Sequence, residues 1–339
     1  MIIIRPIQKD DFEQYKRLAF ESHINFYTLP KNEILLKARF DNALRSFSDP
    51  EAEPNTQFYL FVAVDTNTNK LLGVSALAAT SGGSEPLLFF SKEYLHVESK
   101  HKQVVKDIPV LNPVIYPQGP SEVCSLFVDP ASRGTKVGKL LSLSRFLFAA
   151  RFPERFLPSF ITELRGKMEG GTSAFWEAVG RHFFDATFTE VQELQNYGRA
   201  FIQEFLPHFP IYIDLLPESA RDVIGKVDDD TQGALSMLAR LGFQFTQEVD
   251  VIDAGPKLSA TRSAILPIQK SVVVTIAKLD IPHKDAKPYI VANDMLDFRA
   301  AIGDVSWLSD ATIAISHEVA RGLHLNVGDT ARIFDHTSI

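Results

Sequence analysis

The stretch of the chain best suited to chemistry is LFVDPASRGTKVGKLLSLSRFLF, residues 126–148, where an apolar run passes through Asp-Pro and a short polar loop into an amphipathic helix. Arg133, Gly134 and Gly138 stand where the loop becomes the helix, and Lys136, Val137 and Lys139 lie among them. The first turn of a helix has backbone N–H groups without intrahelical partners and carries the positive end of the macrodipole, so it readily takes up phosphate. Glycines let the backbone approach an anion closely, and the nearby cations add charge. The run is not a Walker A loop, because no Gly-Lys-Ser/Thr closes it. Nor is it a Rossmann fingerprint, because three spaced glycines and a downstream ribose-binding acid are missing. The competing reading is an ordinary strand-turn-helix with a basic cap.

Other chemistries are limited by composition. Cys124 is the only cysteine, which excludes intrachain disulfides and any Cys-based zinc or iron–sulfur site; it reads as an inert buried thiol, with covalent acyl transfer as the second reading. The nine histidines are scattered, with no His-x-x-x-His pair, so neither a metal site nor a permanently bound cofactor is expected. A net charge of -7 argues against a nucleic-acid partner, and the lysines of SKHKQVVK read as a solvated face. The start, MIIIRPIQKDDF, is too short and too soon charged for a signal peptide. No apolar run approaches the ~20 residues that cross a bilayer. No membrane partner is expected, and the expected location is cytoplasmic.

The elements around the loop alternate between helical and strand periodicity. MIIIRPI reads as a strand, and two amphipathic helices follow in KDDFEQYKRLAF and KNEILLKARFDNALRSF. FYLFVAVD and KLLGVSALAA read as paired strands about the turn TNTNK. Residues 80–118 are punctuated by Pro, Gly and Ser and resist assignment. SEVCSLFVD is a strand leading into the loop, SFITELRG is another, and TSAFWEAVGRHFF is a helix. EVQELQNYGRAFIQEFL, PESARDVIGKV and TQGALSMLARLGF read as helices before QFTQEVDVIDAG returns to strand. Past Gly255-Pro256 the pattern changes to short β-branched runs. The expectation is a mixed α/β (α+β) domain over 1–256, with a helical insertion at about 185–230, and a small β-rich domain over 257–339.

The loop resembles the R-x-x-G-x-G/A turn of the GNAT N-acyltransferase superfamily, which wraps the pyrophosphate of an acyl-coenzyme A. Arg133 and Gly138 take the first and last places, and Lys136 stands where the middle glycine lies. IIIRPIQKDDF, LPKNEILLKAR, SEVCSLFVDP, GKLLSLSRFLFAARF, ELRGKM, AFWEAVGRHFF, AFIQEFLPHFPIYIDLLPESARDVIGKV, DVIDAGPKL and IVAND extend the likeness. Over nearly its whole length the chain is similar to bacterial arginine/ornithine N-succinyltransferases. That resemblance implies a GNAT-like mixed sheet and a C-terminal domain resembling a double-psi barrel. It also implies transfer of succinyl from succinyl-CoA, as co-substrate, to the α-amine of arginine (or ornithine) in arginine catabolism.

The implied reaction needs a base for the amine, donors for the oxyanion, and a departing thiolate. In such enzymes the strand before the phosphate loop splays from its neighbour and holds the thioester and pantetheine through backbone N–H groups. Here that strand is Val123–Val128, with Leu126 at the family's succinyl-CoA contact; a plainly buried strand leucine is compatible with both readings. The family's catalytic histidine aligns with Asp228, which reads by itself as an N-cap ahead of GALSMLARL, with Asp229 and Asp230 as first-turn acids. Glu122 is the rival base, acting through water, or else a solvated strand-end carboxylate. Arg165, with Arg181 behind it, is the candidate partner for substrate carboxylates, or Arg165 pairs internally with Glu163. SHINFYTLP, with His23, Ile24 and Asn25, and YPQGPSE depart from the family's acceptor-side patterns and leave the amine open. The alternative readings are another amine acceptor, or a non-catalytic CoA-binding subunit. A homo- or hetero-oligomer is compatible with each.

Overall fold

The structure is a computed structural model and describes residues 1–22, 28–51, 53–280 and 285–339; the acceptor-side positions His23, Ile24 and Asn25 lie outside them. The chain runs β1 (Ile2–Pro6), α1 (Phe12–Glu21), α2 (Glu33–Ser48), β2 (Phe58–Asp65), β3 (Lys70–Ala78), β4 (Gly82–Ser99), β5 (Val104–Gln118), β6 (Ser121–Val128), α3 (Val137–Arg151) and β7 (Ser159–Glu163). Then come α4 (Arg181–Phe184), α5 (Phe188–Gln195), α6 (Ala200–Phe205), β8 (Ile211–Tyr212), α7 (Glu218–Val223), α8 (Gln232–Arg240), β9 (Gln244–Asp250) and β10 (Pro256–Thr261). The remainder is α9 (Leu266–Lys270), β11 (Val272–Leu279), β12 (Lys287–Asn293), β13 (Ala300–Ser309), β14 (Thr312–Ile315), α10 (His317–Leu323) and β15 (Thr330–Phe334). Two compact units result: Met1–Thr80 with Ser121–Pro158 and Thr261–Ile339, and Ser81–Pro120 with Ser159–Ala260.

In the first unit β1, β2, β3 and β6 pair in that order, all antiparallel. FYLFVAV is buried at every position, as a strand covered on both faces must be. Leu60, Val62 and Val64 share a core with Leu18, Leu36 and Phe40 of α1 and α2, whereas Tyr59 and Phe61 pack on Phe148 of α3. The helix expected to be amphipathic is buried nearly all round, from Val137 to Ala149. The cause is tertiary: α3 packs on β2, β3 and β6 and also touches α9, β12 and β13. The expected β-rich C-terminal part is a closed barrel. β11 pairs with β14 in parallel and with β15 antiparallel, and β15–β12, β12–β13 and β13–β14 complete the ring. Its inward Val274, Ile276, Ile313 and Ile333 join the core of Ile3 and Ile7.

The second unit explains the unassigned residues 80–118, which form the long antiparallel ribbon β4–β5. β9 adds to β4 at Phe89–Ser91, β8 adds to β5, and β9 pairs with β10. Strand periodicity was hidden in β5 because Pro109, Pro113 and Pro117 interrupt it, which is tolerable at edge positions. The span read as one helix at 190–206 is two, α5 and α6, broken at Gly198 with φ +120°. There Glu85 approaches so closely that a Cβ would meet its carboxylate at 2.2 Å. AFWEAVGRHFF holds a π-helical turn at Trp176–Gly180, where the indole lies against Gly180. Phe175, Trp176, Phe188, Ile202 and Val223 make the core beneath these short helices.

Candidate functional site

β6 departs from regular pairing where chemistry was expected. Its register with β3 shifts between Cys124↔Ala76 and Phe127↔Val74, so Ser125 and Leu126 together face the single Ser75. One strand with two residues against one is a β-bulge, and Ser125 takes the left-handed φ of 55°. Thr28 holds it there. The Ser125 N–H donates to Thr28 Oγ1 at 3.2 Å, and the Ser125 hydroxyl donates to the Thr28 carbonyl at 3.1 Å. Arg39 donates to that same carbonyl at 2.6 Å. Leu126 and Val128 are half-buried, and Glu122 is buried at the start of the strand. Burial pushes the Cys124 thiol far up, with Glu122 adding to it, so a nucleophilic thiolate is not available there.

After β6 the Asp129 carboxylate accepts from the Ala131 N–H at 3.0 Å and pairs with Lys70 and Arg17. Burial raises its pKa, but Lys70, Ala131 and Arg17 outweigh that and hold it below the usual value. Pro130–Ser132 makes a 3-10 turn, and the chain then swings through exposed Arg133, Gly134 and Lys136 into α3. Gly134 has φ +79° with open space around it. Lys136 is itself left-handed, φ 65° and ψ −2°, and no side chain caps the helix it begins. The Leu140 N–H donates to the Lys136 carbonyl at 2.9 Å, and the N–H groups of Val137 and Gly138 lie in the first turn, where an α-helix offers no intrahelical acceptor. A Cβ on Gly138 would sit 3.3 Å from the Val128 side chain. Arg133 lies over the Phe127 ring, and the Lys139 amine donates to the Ile339 carbonyl at 2.8 Å.

The second unit contains the other candidates. Arg165 follows β7, and a bridge between Gly166 and Val227 brings Asp228 to it. The Arg165 guanidinium donates to the Asp228 carboxylate, and the Asp228 N–H donates to the Arg165 carbonyl at 3.0 Å. Asp228 also accepts from the N–H groups of Met168 (3.2 Å) and Asp230 (3.3 Å), the latter capping a 3-10 turn. Burial pushes the Asp228 carboxyl up, yet Arg165 and these two amides prevail and hold it below the ordinary range. Glu163, the other partner considered for Arg165, lies 3.6 Å from Arg199 instead, and Arg199 reaches Asp250 at 2.5 Å. Arg181 is exposed and pairs with Glu177 at 2.7 Å on its own helical face. The residues are thus brought together as one set, Leu126 to Lys139 with Glu122, and a second, Arg165 with Asp228; Arg181 pairs with Glu177 at the surface.

Several residues escaped sequence reading. Asp253 accepts from the Gly166 and Gly255 N–H groups at 2.9 and 2.8 Å, and burial, then Asp250, push its carboxyl up to about 7. Both glycines are required by closeness: a Cβ on Gly166 would fall 2.2 Å from the Asp253 carbonyl. His336 is buried, and burial, Lys139 and Lys136 lower its pKa. Only the single glycines of ELRG and DAGP hinted at the first, and nothing local marked the second. Among the described residues there is no cluster of His, Cys, Asp and Glu suited to a metal, and no helix long and apolar enough to cross a membrane.

Comparison with known proteins places this arrangement. Residues 2–266 match the model of the arginine N-succinyltransferase beta subunit, and residues 271–335 match that of its C-terminal domain. Arginine N-succinyltransferase of Yersinia pseudotuberculosis is 38% identical, covering 98% of this chain and 97% of that one. Arginine N-succinyltransferase subunit alpha of Pseudomonas aeruginosa is 34% identical, over 98% and 99%. The solved arginine/ornithine succinyltransferase subunit AI of Pseudomonas aeruginosa superposes with a TM-score of 0.91 at 32% identity, covering 99% of each chain. With two family models spanning its sequence and relatives aligned end to end, the chain belongs to the arginine N-succinyltransferase family.

Proposed function

We propose that the chain transfers a succinyl group from succinyl-CoA to the α-amine of arginine or ornithine, by direct attack in a ternary complex. The observation that carries this reading is the uncapped start of α3 behind Gly134 and Lys136, in a chain whose relatives bear that activity in their names over their full length. The amides of Val137 and Gly138 grip the diphosphate, aided by the charges of Arg133, Lys136 and Lys139 and by the close approach that Gly134 allows. The main chain of Leu126 and Val128 holds the pantetheine and the thioester carbonyl, whose developing oxyanion needs donors.

An α-amine with a reference pKa of ~8 must lose a proton before it attacks, and a thiol of ~8.5 departs as thiolate. Glu122 is the base in this reading, working through water. Asp228 stands where the family's histidine aligns, but its pairing with Arg165 keeps it ionised and therefore unable to give a proton at neutral pH. It serves instead to orient Arg165 toward a substrate carboxylate. Arg181, exposed and paired with Glu177, is the second candidate for a substrate carboxylate, since an exposed ion pair is weak enough to exchange its partner.

We read 1–256 as the catalytic part and 257–339 as the small β-rich part. Two family models that meet between residues 266 and 271 support a division in this region, while by packing Thr261–Ile339 belongs to one unit with Met1–Thr80 and Ser121–Pro158. Assembly with like subunits is supported by a family model named for a beta subunit and a relative named subunit alpha. The same names and Asp228 favour one second reading, a CoA-binding subunit that supports an active paralogue. No permanent cofactor is required, and a cytoplasmic setting suits an acyl-CoA substrate. The test is thiol release from succinyl-CoA with arginine, with ornithine and without amine. Amine-dependent release is expected. If CoA binds but no amine stimulates release, the supporting-subunit reading replaces the first.

A further inference from the structure

One buried charge has no part in the scheme above. Arg145 lies in the middle of α3 with 3% of its surface exposed, and burial pulls its pKa down to about 10. Among the described residues its guanidinium bonds only to neutral oxygens. These are the carbonyls of Cys124 at 3.1 Å, Ala76 at 3.4 Å and Ser142 at 3.2 Å, and the Ser142 hydroxyl at 3.5 Å. Burying a cation without a counter-ion is costly unless its hydrogen bonds do something that an apolar side chain could not.

The location of those bonds supplies the reason. Ala76 and Cys124 are the pair at which β3 and β6 part before the bulge. Arg145 grips both carbonyls from α3, while Thr28 grips Ser125 through its N–H and its hydroxyl. A non-glycine residue at φ 55° is strained and persists only where its surroundings over-determine it. The bulge is therefore clamped on both sides of the Cys124–Ser125 peptide, by Thr28, distant from the phosphate-binding turn in sequence, and by Arg145 on the helix that the turn begins.

We infer that Arg145 is a positioning residue for acyl transfer: by fixing the Cys124 and Ala76 carbonyls it keeps β6 bulged, so that the Leu126 amide is presented to the thioester carbonyl rather than to β3. This rests on the acyl-CoA site proposed along β6. Its unneutralised charge, in a low-dielectric setting, also raises the positive potential where the oxyanion develops.

The test compares wild type with Arg145→Met and Arg145→Lys. In Arg145→Met, kcat is expected to fall roughly 10- to 100-fold, while KM for succinyl-CoA stays within about 2-fold because the Arg133–Lys139 turn is untouched. Arg145→Lys, which keeps the charge, recovers part of the loss. Should Arg145→Met not fold, Thr28→Val loosens the clamp from the other side, and the same split in kcat is expected. Infrared spectra of bound succinyl-CoA carrying a labelled thioester carbonyl give a readout independent of turnover: the stretch in wild type should lie below that in the variants. Equal carbonyl frequencies, or unchanged kcat with only a lowered melting temperature, overturn this inference while leaving the site assignment standing. A wild-type protein that binds no acyl-CoA overturns both.

Discussion

Lys136 offers the sharpest test of how the phosphate turn works. Its backbone sits at φ 65° and ψ −2°, a conformation that costs an L-residue with a side chain about 1 kcal/mol or more and glycine nothing. Replacing it by glycine relieves that strain but frees the unfolded chain, a penalty of roughly 0.4–1 kcal/mol. The two nearly cancel, so Lys136→Gly should be neutral to about 1 kcal/mol more stable, a rise in melting temperature below about 4 °C. Lys136→Ala keeps the strain and should not rise. Binding separates backbone from charge. If main-chain amides grip the diphosphate, both variants lose only the attraction of one exposed ammonium, about 0.3–1 kcal/mol at low salt, or a factor of roughly 2–5 in Kd. That deficit should vanish at high salt. Calorimetry of CoA binding at two ionic strengths, beside thermal unfolding, measures both effects. A loss above roughly 50-fold, about 2.3 kcal/mol, that persists at high salt would refute the argument, because the Lys136 side chain would then be the grip.

Glu122→Gln should lower kcat by roughly 10²-fold while leaving CoA affinity intact; steady-state kinetics with calorimetry checks it, and a normal kcat removes Glu122 as base. Asp228 has a depressed folded pKa, so its contribution to stability is present above the ordinary carboxylate range and lost as pH falls through the folded value. Asp228→Asn should therefore cost about 1–3 kcal/mol at neutral pH and flatten the acid limb of a denaturation profile. Asp253 has the opposite sign: its carboxyl is raised to about 7, so stability declines as pH climbs from the ordinary carboxylate range toward that value. Denaturant titrations of Asp253→Asn should lack that decline, and an unchanged slope would show that Asp253 does not titrate there.

What the residues along the chain determined was local. Asp-Pro followed by Arg133, Gly134 and Gly138 announces a turn into a helix, and FYLFVAVD and KLLGVSALAA announce strands, because backbone stereochemistry and periodicity act over a few residues. The mixed α/β class and the β-rich C-terminal part followed from the same signals, and the family likeness followed from the spacing of the quoted stretches. Tertiary structure decided the rest. The ribbon over 82–118 emerged only from pairing, since prolines masked its alternation. α3 became a buried axle, though its sequence read as one-faced, because sheet and barrel elements pack on it together. Asp228 suits a cap ahead of a helix and, by alignment, a base; the Asp230 amide makes it a cap, and a guanidinium brought from residue 165 holds it ionised. The bulge at Ser125 depends on Thr28, Ala76 and Arg145, residues separated by long stretches of chain, and no local rule can specify an interaction whose partners meet only when the core closes.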